Sequence, residues 1–293
     1  MKQKKTIDKE RQLRQIAEML LLNGTLVDCP GLIYGKTGIV IFFFHYARYT
    51  ENSLFEDYAW DLIGEVQNQI YTNIPTNYKK GVAGIAIGID FLIRNNFIEA
   101  DEDIFEDFDE RMYRAVMYDP WQDFSFYDGL TGYGQYWISR LRYPTASIQA
   151  RECLRRIVGL IEEKLPDIPE KEQTDVFCFL HDLPEIPGFD AEARHALLLR
   201  EQCRREWDLQ LADICKSFPR LGSSFIANII RIYQYRRLFN DALQNEINAL
   251  QQILDLDTVK QPTSMGLLTG YAGEGMIRLT AYNQANTSWM QLL

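Results

Sequence analysis

Gly35-Lys36-Thr37 has the residue types that end a phosphate-binding loop, where backbone amides cradle phosphates and a lysine neutralises them. That chemistry also wants a glycine five residues before Gly35 and a buried strand leading in. Pro30 holds that position, Gly31 comes one residue late, and the lead-in NGTLVDCP makes a poor strand. Two other groupings have types suited to chemistry. Cys178 and His181 stand at i, i+3, which would put a thiol and a base on one face of a helix. The bland reading of that pair is a buried, inert thiol beside a structural histidine. Asp90, Asp123, Asp128 and Glu274 are the acids available for a two-carboxylate mechanism, which needs its pair about 5–9 Å apart. No spacing forces two of them together.

The elements that carry these residues repeat along the chain. YGKTGIVIFFFHY around Gly35, KGVAGIAIGIDFL around Gly81, DGLTGYGQYWISR around Gly129 and TGYAGEGMIRLTA around Gly270 each show Gly-x-x-Gly followed by an apolar run. LGSSFIANIIRIY keeps Gly222 but has Phe225 at the second glycine. The first glycines are 46, 48, 93 and 48 residues apart, so a degenerate copy belongs near 174–190, in TDVFCFLHDLPEIPGF. Gly35-Lys36-Thr37 is thus one copy of a motif whose other copies lack Gly-Lys-Thr.

Each unit reads as a helical hairpin. A charged amphipathic stretch, such as SLFEDYAWDLIGEVQNQI, precedes each motif with apolar residues spaced three and four apart, as an outer helix requires. The run after the glycines is apolar all round, as an inner helix requires. The pattern predicts an all-α fold, an α/α toroid of about six helical hairpins with Gly-x-x-Gly at the inner-helix starts, forming a single domain over residues 1–293. An open superhelix of helix pairs is the alternative.

Composition bounds the function classes. Of 293 residues, 46% are hydrophobic, with 16 Tyr, 16 Phe and 5 Trp to fill a large core. The net charge of −10 argues against generic nucleic-acid binding. Five cysteines (29, 153, 178, 203 and 215) without a CxxC pattern suit a reducing, cytoplasmic setting. The apolar run Ile39 to Phe44 is too short for a transmembrane segment.

With its repeats aligned, the chain resembles the lanthionine synthetase C-like family of lantibiotic cyclases. The residues that carry the likeness are Gly31-Leu32 with Gly35 and Gly38, YKKGVAGIAIGIDFL, FYDGLTGYG and SMGLLTGYAGEGMIRLTAYN. The resemblance implies an α/α toroid, usually of seven hairpins, with zinc at its mouth. A Cys from one repeat and a Cys-His pair from the next, in Cys-His-Gly, hold that zinc. The metal turns a peptide cysteine into a thiolate that attacks a dehydrated Ser or Thr. The matching triplet here is Arg220-Leu221-Gly222, neither of whose side chains binds zinc, and no Cys-His dipeptide occurs. The third ligand would fall near Cys178, without the usual glycine after it. The family's mechanistic Asp aligns with Ser125, with Asp123 and Asp128 off register. His181 stands where the family has a histidine before a motif glycine, with Asp182 in place of the glycine; otherwise it is an ordinary structural or exposed histidine.

The implied protein has no bound cofactor, zinc being the family's metal but its ligands being absent here. Its partner is a peptide substrate or a modification enzyme. His181 and Asp128 are the catalytic candidates. Tyr34, Lys36, Tyr78, Lys80, Tyr127, Arg220 and Tyr271, together with Lys79, are the candidates for binding a phosphate, carboxylate or peptide at the mouth. The bland reading makes these solvated turn residues. Two other classes are a metal-independent, glycoside hydrolase-like enzyme using mouth carboxylates, and a non-catalytic binding module. His45 reads as a core residue and His195 as a solvent-facing one.

Overall fold

The structure is a computed structural model, and it describes residues 2–70, 73–183, 264–282 and 285–293 together with positions 230, 233 and 234. Arg220, Leu221, Gly222, His195, Cys203 and Cys215 lie outside the described residues, as does the degenerate repeat beyond position 183. The described residues are helical or irregular, with no strand among them. The chain forms two compact units, Met1–Asn73 with Lys216–Leu293, and Ile74–Cys215.

In the first unit, α1 (Lys2–Asn23) precedes α2 (Lys36–Thr50), α3 (Ser53–Ile70) follows it, and a C-terminal helix, here α9 (Tyr271–Ala281), closes the unit. α2 is buried without interruption from Lys36 to Ala47, and α9 along its whole length. α3 buries only Ala59, Leu62 and Val66, the three-four spacing of a helix with one wet face. Thus α2 and α9 are inner helices and α3 an outer one, as the sequence pattern predicts. α2 packs on α3 and α9, and α1 on α9. Phe42 stacks on Tyr46 and Phe43 meets Tyr58 edge-on, with centroids 5.4 and 4.8 Å apart. Each such ring contributes roughly 1.5–3 kcal/mol by leaving water.

In the second unit, α4 (Val82–Arg94), α6 (Leu130–Arg140) and α8 (Glu170–Asp182) alternate with α5 (Glu106–Met117) and α7 (Ser147–Lys164). α4 packs on α6 and α6 on α8, while α5 and α7 lie against each other and cover α4 and α6.

The four inner helices with a Gly-x-x-Gly motif among the described residues start in the same way. The first helical N–H donates to the carbonyl seven residues upstream: Lys36 to Cys29 at 2.9 Å, Val82 to Pro75 at 2.9 Å, Leu130 to Asp123 at 2.8 Å and Tyr271 to Ser264 at 3.0 Å. The loop folds back over the helix end and satisfies donors that have no partner inside the helix. Glycine is required because the returning loop leaves no room: a Cβ on Gly129 would strike the Asp123 carbonyl, and one on Gly81 the Pro75 carbonyl.

The second glycine lies against the carbonyl of its own loop, Leu32 at Gly38 and Phe126 at Gly132, and also meets the loop of another repeat. A Cβ on Gly132 would lie 3.0 Å from Tyr78 Cβ, and one on Gly38 would lie 3.0 Å from Leu267 Cβ. A backbone bond accompanies each contact, Lys79 N to Tyr127 O at 3.1 Å and Leu268 N to Ile33 O at 3.3 Å. In both cases the residue two before a motif glycine bonds its counterpart in another repeat.

The degenerate fourth repeat departs from the spacing. The spacing places its first glycine position near 175, but α8 already begins at Glu170. Phe179 fills the space at Gly134 as Phe42 does at Gly275, which puts Glu172, not Asp175, at the first-glycine position. Carboxylates replace the glycine: Glu172 accepts from Phe124 N at 3.1 Å and Asp175 from Phe126 N at 2.8 Å.

Two expectations follow. Gly129→Ala should lower the thermal midpoint by several degrees or prevent folding, whereas Gly159→Ala, on α7 where a Cβ meets nothing within 4 Å, should raise stability by about 0.5–1 kcal/mol; thermal melts of the two variants check this. His45 is buried on α2, and burial, aided by the nearby Arg48 charge, lowers its pKa to about 3. The unfolded chain takes up this proton near pH 6.5 and the folded chain does not, so stability is full above pH 6.5 and falls as the pH drops toward 3. Urea titrations should show wild type losing about 2 kcal/mol more than His45→Gln between pH 7 and pH 5.

Candidate functional site

The repeat register sorts the predicted site residues. Positions directly after the first glycine are buried: Lys36, Val82, Leu130 and Tyr271. Three positions before it, Leu32, Tyr78 and Leu267 are buried as well, and Phe126 packs on Tyr78 with centroids 4.4 Å apart. The position directly before the glycine reaches outward. There Tyr34 and Lys80 are exposed, and Asp128 and Thr269 half-buried.

Lys36, Tyr78 and Tyr271 therefore belong to the interior. Lys36 is 3% exposed, and its Nζ lies 2.7 Å from Glu65 Oε2 on α3. Thr37 Oγ1 donates to Pro30 O at 2.6 Å, and the Lys36 and Thr37 amides are spent on Cys29 and Pro30 carbonyls. The groups that would cradle a phosphate at Gly35-Lys36-Thr37 are thus all engaged with the protein. Burial raises the Tyr78 phenol well above the usual tyrosine range, so it stays protonated and apolar in character.

The residues that remain on the surface gather, in the second unit, on the loops before α4 and α6. Asp128 is the centre. Its Oδ2 lies 2.5 Å from Lys79 Nζ, and its Oδ1 accepts from Asn77 Nδ2 at 3.1 Å. Lys80 N donates to Asn77 Oδ1 at 3.1 Å, and Thr76 Oγ1 meets the Tyr133 hydroxyl at 2.8 Å. Tyr127 lies half-buried beside them. The cluster offers an ammonium (Lys80), a paired ammonium and carboxylate, an amide and a phenol. It suits hydrogen bonding to a polar chain. Proton transfer suits it poorly, because Asp128 is already neutralised by Lys79. Tyr34 lies on the corresponding loop of the first unit.

His181 is elsewhere on its helix. It sits in the last turn of α8, about 16 Å along the axis from Glu170. Its Nδ1 is 3.4 Å from Asp182 Oδ1, and its ring centroid is 6.0 Å from that of Phe177. The end of α8 that touches the loop before α6 is the other one, through Glu172 and Asp175. The structure therefore gives no contact between His181 and Asp128. Cys178 does share a helix with His181, as the spacing predicts.

The other acids are tied down. Buried Asp90 accepts from Arg94 Nε at 2.8 Å and from the Tyr143 hydroxyl at 2.7 Å. Buried Glu274 accepts from Arg278 Nε and Nη2 at 3.1 and 2.8 Å. Asp123 Oδ1 accepts from Ser125 N at 2.7 Å and shapes the turn. Among the described residues no group of three His, Cys, Asp or Glu side chains could hold a metal ion. Also among the described residues, no helix is long and apolar enough to cross a membrane.

Sequence reasoning missed the buried pair Asp109–Arg140, at the opposite end of α6 from its glycine motif. Arg140 donates through Nε and Nη2 to the two Asp109 oxygens, both at 2.8 Å, and the Tyr136 hydroxyl donates to Oδ1. No motif marks these residues. The available signal was an acid and an arginine set in otherwise core-facing runs. No family model matches the chain, and no curated protein matches it.

The pairing of Lys36 gives a direct test. Glu65→Gln removes the counter-charge of a buried ammonium and should destabilise by about 1–3 kcal/mol in urea titration, with Lys36→Met added to it recovering most of the loss. An unchanged Glu65→Gln protein would mean that Lys36 is free for a ligand.

Proposed function

We propose that the chain is a lanthionine synthetase C-like protein of ribosomal peptide modification, built as an α/α toroid of about six hairpins. In this reading it is a zinc-free, altered or inactive cyclase that binds a peptide or a partner enzyme. The observation that supports it most is the recurrence of one inter-repeat contact. Leu267 and Leu268 of the last repeat meet Gly38 and Ile33 of the first as Tyr78 and Lys79 of the second meet Gly132 and Tyr127 of the third. A last repeat that addresses the first by the ordinary neighbour contact favours a ring over an open superhelix, whose end repeats have no such partner.

The peptide-binding part rests on the loop residues. Lys80, Tyr127 and the Lys79–Asp128 pair present hydrogen-bonding groups and an aromatic surface, the usual means of holding an extended chain. The zinc-free part rests on Arg220-Leu221-Gly222, where two of the family's three ligands are missing, since catalytic zinc takes three protein ligands. The glycoside hydrolase-like alternative finds less support, because Asp90, Asp128 and Glu274 each answer to a cationic neighbour.

Purified protein should carry well under one zinc per chain by elemental analysis. Incubated with a dehydrated, cysteine-containing precursor peptide, it should bind the peptide but leave its thiol free to alkylation, as read by mass spectrometry. Stoichiometric zinc, or loss of the thiol, overturns the zinc-free reading. Absence of peptide binding overturns the binding reading.

A further inference from the structure

In the second unit, the C-terminal ends of α4 and α6 set two arginines on one carboxylate. Asp90 is buried one turn before the end of α4. Its Oδ2 accepts from Arg94 Nε at 2.8 Å, and its Oδ1 accepts from the Tyr143 hydroxyl at 2.7 Å. Arg142 Nη1 lies 3.7 Å from the same Oδ2, inside ion-pair range but too far for a hydrogen bond. One negative charge therefore faces two positive ones.

The surplus cation is Arg142. Arg94 holds the carboxylate directly and also ends α4, where a positive charge suits the helix dipole. Arg142 has neither duty. It lies two residues beyond the end of α6, and its guanidinium donates no hydrogen bond to any described residue. Burial lowers its pKa, and so does the Arg94 charge, which acts on it more strongly than the opposing Asp90 charge. The fold thus keeps two guanidiniums near each other without relieving their repulsion. An anion placed against both would relieve it.

Such an anion has access. The Arg142 side chain is 52% exposed and that of Arg94 38%, whereas the Asp90 side chain is 2% exposed. Solvent reaches both cations, while the carboxylate is covered and already paired. The chain as a whole carries a net charge of −10, so anion binding here would report this site and not a general attraction.

The free donors select the kind of anion. Arg94 keeps both Nη groups, and Arg142 its whole fork. One guanidinium fork fills the two oxygens of a carboxylate. A phosphate offers a third oxygen and a second charge, so it can take donors from two forks at once.

We infer that Arg94 and Arg142 bind a phosphate group, either as the free ion or as the monoester of a small molecule, with Arg142 supplying the uncompensated charge and Arg94 further donors. The site stands at the helix ends away from the glycine motifs and does not rest on the reading proposed for the motif loops.

The test is calorimetric titration of the full chain with inorganic phosphate and with methyl phosphate, at one ionic strength set by chloride. At least one of them should bind, and the tighter of the two identifies the source of the phosphate group. Arg142→Gln should weaken that binding at least about fivefold. In circular dichroism melts without phosphate, Arg142→Gln should unfold at or above the wild-type temperature, because it removes one of two neighbouring like charges. Added phosphate should then raise the wild-type midpoint more than that of the variant. Failure of both phosphates to bind overturns the inference. So does binding that Arg142→Gln leaves unchanged, which is an adventitious ion only, or acetate binding as tight as that of phosphate. A variant melting well below wild type also overturns it, since Arg142 would then be a structural partner of Asp90.

Discussion

The structure depends on one main-chain constraint, the closing of each inner-helix N-terminus by its own upstream loop. An inner helix with a dry first turn cannot leave its leading N–H groups to water. Here the carbonyl seven residues back takes the first of them, at Gly35, Gly81, Gly129 and Gly270 alike. The loop must run so close to the helix that a side chain on the glycine is excluded. Inner-helix burial, glycine and loop path are therefore one requirement seen three times. The same arrangement explains why Gly35-Lys36-Thr37 is not a nucleotide loop: its amides and hydroxyl serve the fold.

Much of the helical layout was legible before any coordinates. The stretch SLFEDYAWDLIGEVQNQI is α3 residue for residue, and the amphipathic run from Ser147 is α7. These segments read well because burial of one face imposes a period that nothing else competes with. The fourth repeat read poorly. With its glycines gone, only spacing was left to set the register, and spacing pointed near 175 while α8 starts at Glu170. The carboxylates of Glu172 and Asp175 hold the neighbouring loop there, a solution with no periodic signature.

The candidate site was half legible. Treating every residue near a glycine as a mouth residue put Lys36, Tyr78 and Tyr271 on the surface, whereas all three are buried. Comparing the repeats with one another would have separated them. Leu32, Phe126 and Leu267 share the position of Tyr78, and Val82 and Leu130 share that of Lys36 and Tyr271, so apolar company marks both positions as core. Asp109 and Arg140 lie away from the motif glycines, at positions the repeats do not share, and packing is what joins them as a pair. A lysine or an arginine in the interior is a polar residue with an assigned partner, Glu65 for one and Asp109 for the other.

Because the clamp consists of amide and carbonyl groups, it is indifferent to which side chain precedes the glycine. Tyr34, Lys80, Asp128 and Thr269 occupy that place in four repeats, presenting a phenol, an ammonium, a carboxylate and a hydroxyl from one backbone mould. A lineage can thus exchange such groups singly, changing the chemistry the loops present while the scaffold beneath them stays the same.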